Sequence, residues 1–259
     1  TMFADKGFSN DIKMSGVNSI NWARIIAQSV YYFYSYFLTE DDNRPINFSV
    51  PTGNFGDIYA GYLAKKMGLP INKLIVATNQ NDILHRAISN GGYEVENVFE
   101  TLSPSMDIQV ASNFERLLYD LNEGDDLQTI DAMKNIKEKG KYIINQEKLD
   151  KINANFLSSR MSEEEVLNTI KEVYKKFNIV LDPHTAIGYG AFDKINLDGN
   201  NIVLATAHPC KFPDAIKKAI DIKADLPKEL MFVMDEKENY DIIDNDVEKI
   251  KQHIKERIQ

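Results

Sequence analysis

One cysteine, Cys210, occurs in 259 residues, so no disulfide can close within the chain. That usage fits a reducing compartment, and a cytoplasmic location is expected. No apolar run reaches the ~20 residues needed to span a bilayer, and no signal-peptide pattern is visible, so a membrane is not expected as partner. Positive charge is in short supply: 30 Lys and Arg stand against 39 Asp and Glu, a net charge of −9. That balance argues against nucleic acid as the main partner. An anionic ligand would need a local basic pocket against this field. No His/Cys/Asp spacing suggests a metal site. There is no internal repeat and no low-complexity segment. Nor is there a methionine at position 1, and residues 1–14 carry no evident turn or cap. A fragment of something longer is expected.

What is present reads as α/β. Ser15 and Asn18 are candidate caps for a helix over 19–38, which lacks Pro and Gly and is apolar nearly all round. Such a helix should be deeply buried, with Trp22 and Tyr31 to Tyr34 as packing aromatics. A polar loop at 40–45 leads to a strand at 46–50, a glycine loop and a helix to Met67. A strand at 73–78 and a helix from Asp82 to Ser89 repeat the rhythm. Strand, helix, strand, helix is the pattern of a parallel sheet with covering helices. The middle is less regular. Residues 123–151 read as charged surface helices and turns, and Ser162 to Glu165 is a capping box for a helix to Phe177. The rhythm returns with a helix from Ala186, a strand at 201–206, a helix at 213–222 and an amphipathic helix at 247–258. Loops at 51–57, 79–82 and 206–211 follow strands, and ligands of open parallel sheets bind at those strand ends.

The loop Thr52-Gly-Asn-Phe-Gly-Asp57 is the organising stretch. A strand-to-helix turn points several backbone N–H groups at one spot, beside the positive end of the helix dipole. Gly53 and Gly56 keep Cβ atoms out of the way. The natural guest is a phosphate dianion. No lysine stands in Walker position, so this is no nucleotide P-loop. A plain tight turn would use glycine as well.

Seven motifs in order resemble the threonine synthases, in the longer form found in fungi and many bacteria. They are Val17-Asn-Ser-Ile-Asn-Trp-Ala-Arg24, Val50-Pro-Thr-Gly-Asn-Phe-Gly-Asp57, Ala64-Lys-Lys-Met-Gly-Leu-Pro70 and Ala77-Thr-Asn79 with Asn81-Asp82. The others are Thr101-Leu-Ser-Pro-Ser-Met-Asp-Ile108, Leu181-Asp-Pro-His-Thr-Ala186 and Thr206-Ala-His-Pro-Cys-Lys-Phe212. The resemblance implies an open, mostly parallel sheet with helices on both faces. It is the large domain of the tryptophan-synthase-β-like fold type, with residues 1–259 forming most of it and the N-terminal region and small domain missing. It implies pyridoxal 5'-phosphate as cofactor, and conversion of O-phospho-L-homoserine and water to L-threonine and phosphate. Thr52, Gly53, Asn54, Phe55, Gly56 and Asp57 would hold the cofactor phosphate. Thr206 would face the pyridine nitrogen, where a hydroxyl suits a neutral ring. Ser19, Asn21 and Arg24 resemble the positions that meet the substrate phosphate, and a guanidinium suits a phosphate bidentately. The bland reading of Arg24 is an ordinary ion pair at a helix start.

One departure outweighs the others. The family's Schiff-base lysine lies in a Ser-Phe-Lys-Asp-like motif that this sequence lacks, and Lys211 is not its counterpart. No catalytic residue is therefore assigned, and the chain alone is expected to be inactive. Cys210 stands where the family carries alanine. His184 and His208 either line the crevice or order its loops, and His85 reads as a satisfied residue on a helix. Two other readings remain. One is a different enzyme of the same fold, such as a serine or threonine dehydratase, against which the Asn18 to Arg24 cluster speaks. The other is a non-catalytic binding protein that kept the fold.

Overall fold

The computed structural model describes residues 2–16, 18–39 and 44–258. Val17, in the first motif, and most of the polar loop at 40–45 lie outside them. The chain divides into two compact units, one of Thr1–Asn18 with Leu226–Gln259, the other Ser19–Asp225. The first contains α1 (Lys6–Asp11) and α11 (Val247–Ile258). The residues before 14 do carry a cap, contrary to the sequence reading: the Asp5 carboxylate accepts from the Phe8 N–H at 3.1 Å.

In the larger unit the elements run α2 (Trp22–Phe37), β1 (Ile46–Pro51), α3 (Gly56–Lys66), β2 (Ile71–Thr78), α4 (Ile83–Asn90) and β3 (Gly92–Glu94). Then come α5 (Phe114–Leu121), α6 (Asp126–Lys139), β4 (Lys141–Ile143), α7 (Gln146–Asn155) and β5 (Phe156–Arg160). The series closes with α8 (Glu163–Phe177), α9 (Pro183–Ile195), β6 (Asn200–Val203) and α10 (Pro213–Ile220). The main sheet has four strands in the order β5-β2-β1-β6, every pairing parallel. β3 and β4 form a separate antiparallel pair.

Alternation along the strands builds two cores. Phe48, Val50, Leu74 and Val76 face α2 and α3, while Ile75 and Ala77 face α8 and α9. All six residues of β1 are buried, as a strand covered on both faces must be. Ser49 closes its hydroxyl on the Gly188 carbonyl at 2.6 Å, and a Cβ on Gly188 would stand 3.2 Å from Pro51. α9 thus lies directly on the sheet.

Two sequence expectations change. The strand expected at 201–206 ends at Val203. The Leu204 N–H still reaches the Ser49 carbonyl at 3.0 Å. The next rung would need an N–H from Pro51, which has none. The second concerns α2, expected to be buried all round. Ile25, Ser29 and Tyr32 are buried on one side, but Ile26, Val30, Tyr34 and Phe37 on the other are exposed.

Candidate anion site at the ends of β1 and β6

After Pro51 the chain makes one further sheet contact, from the Thr52 N–H to the Ala77 carbonyl at 2.8 Å. It then turns sharply. Phe55 caps α3 with φ of +64°, a left-handed conformation that costs a bulky residue energy. Its ring is fully buried, 5.3 Å edge-on to Phe114 and 5.9 Å from Phe156, and this packing holds the turn. Among the described residues, no acceptor takes the N–H groups of 53 to 57. Those amides lie on and just before the first turn of α3, at the positive end of its dipole.

The glycines are explained by packing as much as by a guest. A Cβ on Gly53 would sit 2.5 Å from the Ser105 carbonyl oxygen, and one on Gly56 3.3 Å from the Asn113 amide and from Ile25. The Thr101–Ile108 segment therefore lies against the loop. It is fixed there by Asp107. One carboxylate oxygen of Asp107 accepts from the amides of Asn79 at 2.8 Å and Asn81 at 2.9 Å, the other from the Thr101 N–H at 2.8 Å. The loop at 79–82 thus follows the neighbouring strand, as expected, but spends Asn79 and Asn81 on fold contacts.

The second half of the site is the start of α2. Ser19 lies beside Gly56, its Cβ 3.6 Å from where a Gly56 Cβ would be. Asn21 is the cap of α2, its side-chain oxygen accepting from the Ala23 N–H at 2.9 Å. Arg24 is exposed on the first turn and, among the described residues, forms no ion pair. Its charge is felt by Asp57. Burial raises the Asp57 carboxyl to about 6, opposed by the Tyr32 hydroxyl that donates to it and by Arg24. Two helix N-termini, those of α2 and α3, are thus brought together.

Sequence reasoning missed the residues that brace this pair. The Asn113 N–H and side-chain amide both donate to the Asn54 carbonyl, at 3.0 and 3.1 Å. Ser112 donates to the Asn54 side-chain oxygen at 3.2 Å. Arg116 reaches the Asn113 oxygen at 2.9 Å and the Ile20 carbonyl at 2.7 Å, with its guanidinium over Trp22. The available signal was Ser112-Asn113 ahead of a helix, which reads as an ordinary cap. Asn113 makes no side-chain cap bond here, because the oxygen that would accept one is taken by Arg116 Nε while its amide donates to the glycine loop.

Thr206 is exposed beyond the end of β6, the strand that lies beside β1, and its hydroxyl has no partner among the described residues. Thr206 and the glycine loop therefore share one edge of the sheet. This is the switch point, where β1 is flanked by β2 on one side and β6 on the other. The segment running on from Thr206 meets the start of α9, where the His184 ring lies 4.8 Å from Phe212. Asp182 caps α9 and accepts from His184 Nδ1 at 2.9 Å, so His184 orders this corner. His208 accepts from the Cys210 N–H at 3.3 Å, and Cys210 is half-buried. His85 pairs with the Ser158 hydroxyl at 2.9 Å, the satisfied role expected for it.

Comparison with known proteins points to one group of enzymes. Residues 185–254 match the family model described as "Threonine synthase, C-terminal". Threonine synthase from Pseudomonas aeruginosa is 45% identical over 251 residues, 96% of this chain and 54% of that protein. The crystal structure of PLP-bound threonine synthase from Brucella melitensis superposes with a TM-score of 0.95 at 43% identity, covering 100% of this chain and 56% of that one. The yeast threonine synthase structure gives 0.89 at 42%, over 100% and 56%. Over nearly its whole length the chain is similar to threonine synthases. It spans about half the length of the relatives it matches. The fold is that of the tryptophan-synthase-β-like enzymes, and the glycine loop, the α2 start and Thr206 all lie within this threonine synthase stretch. No helix among the described residues is long and apolar enough to cross a membrane.

Proposed function

We propose that this chain carries the phosphate-binding half of a pyridoxal-phosphate-dependent threonine synthase, which forms L-threonine and phosphate from O-phospho-L-homoserine and water. The observation that carries the reading is the set of unpartnered amides at residues 53 to 57, facing the N-terminus of α2 with Arg24 exposed on it. The donor set fits the cofactor: a dianionic phosphate satisfies amides that nothing else in the described chain satisfies. Thr52 to Asp57 hold that phosphate. Thr206 is the hydroxyl on the same edge of the sheet, and the family resemblance gives it the pyridine nitrogen. When bound, the cofactor supplies an electron sink for carbanions of the substrate.

The rest follows from the chain's own groups. Arg24 and the start of α2 with Asn21 and Ser19 take the substrate phosphate, where a planar guanidinium binds two oxygens at once. Asp57 opposes these anions less firmly than an ordinary carboxylate would, because its proton is easier to hold. Its carboxyl titrates near 6, and a dianion beside it pushes that value further up. The dehydratase reading gives Arg24 no phosphate to meet. The sequence has no Ser-Phe-Lys-Asp-like lysine motif, so this chain by itself binds without turning over. A cytoplasmic location follows from the biosynthetic role.

Thermal melting tests the reading. Pyridoxal 5'-phosphate and inorganic phosphate should each raise the melting temperature saturably, whereas pyridoxal without its phosphate should not. Equal stabilisation by pyridoxal, or none by any of the three, would refute a phosphate cradle at residues 53 to 57. Arg24→Ala should leave the cofactor's effect unchanged. In the complete enzyme the same change should cost about 2–3 kcal/mol in substrate phosphate binding.

A further inference from the structure

The start of α2 is lightly held. Ile20 and Trp22 are 52% and 44% exposed, so little apolar burial fixes the chain before Ile25. The first turn hangs on Asn21. The Ala23 N–H donates to the Asn21 side-chain oxygen at 2.9 Å, and the Arg24 N–H to the Asn21 carbonyl at 3.0 Å. Ligand-binding side chains on such a turn need support from a neighbouring element. The glycine loop is the opposite case, with Phe55 fully buried and Gly56 closed in by the Asn113 amide and Ile25.

A relay of hydrogen bonds joins the two. The Asn54 carbonyl of the loop accepts from Asn113 Nδ2 at 3.1 Å. Asn113 Oδ1 accepts from Arg116 Nε at 2.9 Å, and Arg116 Nη2 donates to the Ile20 carbonyl at 2.7 Å. Its partners settle which way the Asn113 amide points: a carbonyl on one side, an N–H on the other. An aspartate there could accept from the arginine but could not donate to the loop. The planar fork of Arg116 serves both acceptors at once, and it lies 5.2 Å over the Trp22 ring. No carboxylate pairs with it among the described residues, so none competes for the fork. Two side chains at the start of α5 thus reach from the loop to the residue before the Asn21 cap.

We infer that Arg116 is a positioning residue that couples the two phosphate subsites. A phosphate seated at residues 53 to 57 steadies Asn54, and Asn113 and Arg116 pass that constraint to Ile20 and so to the turn carrying Asn21 and Arg24. The subsite at α2 is therefore in place only once the cradle is filled. By linkage the effect is reciprocal, and an anion at α2 tightens the cradle. This role needs no contact between Arg116 and either phosphate. It rests on phosphate binding at residues 53 to 57, which the same experiment checks separately.

The test is amide hydrogen exchange of this chain with and without 4'-deoxypyridoxine 5'-phosphate, which has the cofactor's ring and phosphate but no aldehyde to label lysines. In the unchanged protein the ligand should slow exchange at least about tenfold both in the loop and at Ala23 to Ile25. In Arg116→Gln the loop should keep its protection and Ala23 to Ile25 should lose theirs. Arg116→Lys keeps the charge and the stem over Trp22 but not the fork, and should behave alike. It decides the matter if the glutamine variant does not fold. Protection confined to the loop in the unchanged protein would overturn the inference, as would undiminished protection of Ala23 to Ile25 in a folded Arg116 variant. Loss at both segments together in the variants would also overturn it, by making Arg116 a merely structural residue. A loop left unprotected in the unchanged protein would refute phosphate binding there, and the coupling with it.

Discussion

Asp57 is the residue whose chemistry the turn changes most. It sits in the first turn of α3, where a charged carboxylate would ordinarily be welcome. Burial outweighs the dipole and raises it to about 6 from an ordinary 3.8. The native state then holds more protons than the unfolded state between about pH 4 and 6. Stability is greatest below this window, falls as pH rises through it, and levels off above 6. Two pKa units correspond to at most about 3 kcal/mol. Urea denaturation across pH 4 to 7 should show that decline, and Asp57→Asn should flatten it. An unchanged slope in Asp57→Asn would assign the decline to other groups. Phosphate in the cradle should carry the step above pH 6, because an anion nearby disfavours a second charge. Much at this scale was legible: the glycines, Thr52, Arg24 and Thr206 all stand out by type and spacing. The brace of Ser112, Asn113 and Arg116 was not, because it depends on pairings across 58 to 96 positions. Residue type alone gives no hint of such distant partners.

At the scale of elements, the crossing of α2 and α3 turns on Gly61. A Cβ there would lie 2.4 Å from the Tyr32 ring and 2.9 Å from Leu74. Tyr32 cannot yield easily, since it is fully buried and its hydroxyl donates to the Asp57 carbonyl at 2.8 Å. Gly61→Ala gains about 1 kcal/mol of helix propensity but overpacks the crossing at a cost of roughly 1–3 kcal/mol. Net destabilisation is expected in urea denaturation. Gly7→Ala in α1 meets only the Asp5 side chain at 3.5 Å, so there the propensity gain should prevail. The opposite signs of these two changes test the crossing geometry. Sequence periodicity found β1, β2, α8 and α11 within a few residues, because alternation, glycine punctuation and the Ser162 capping box all agree there. It missed β5, which follows α7 with no turn residue between Asn155 and Phe156. It misjudged α2 for another reason: the apolar pattern was read correctly, but only one side of the helix is buried among the described residues.

At the scale of the whole molecule, the two units differ in what holds them. Phe8 is the only buried hydrophobic residue among the described residues of the Thr1–Asn18 and Leu226–Gln259 unit. Lys251 and Lys255 lie 5.7 and 5.8 Å from its ring centre and pair with Asp5 and Asp11 at 2.8 and 3.0 Å. Such exposed pairs contribute about 0–1 kcal/mol each. Leu230 to Met234 form a run of five apolar residues, each between 47% and 71% exposed, which adds nothing to a core. The Ser19–Asp225 unit, by contrast, contains both hydrophobic clusters. Local opening free energy follows buried apolar contact, so the small unit should open first. Native-state hydrogen exchange should find the α11 amides exchanging at least about a hundredfold faster than those of β1 and β2. The family match at 185–254 runs through this weak unit. Equal protection in α11 and β1 would mean that the units open as one, and that the ion pairs around Phe8 are far stronger than exposed pairs elsewhere.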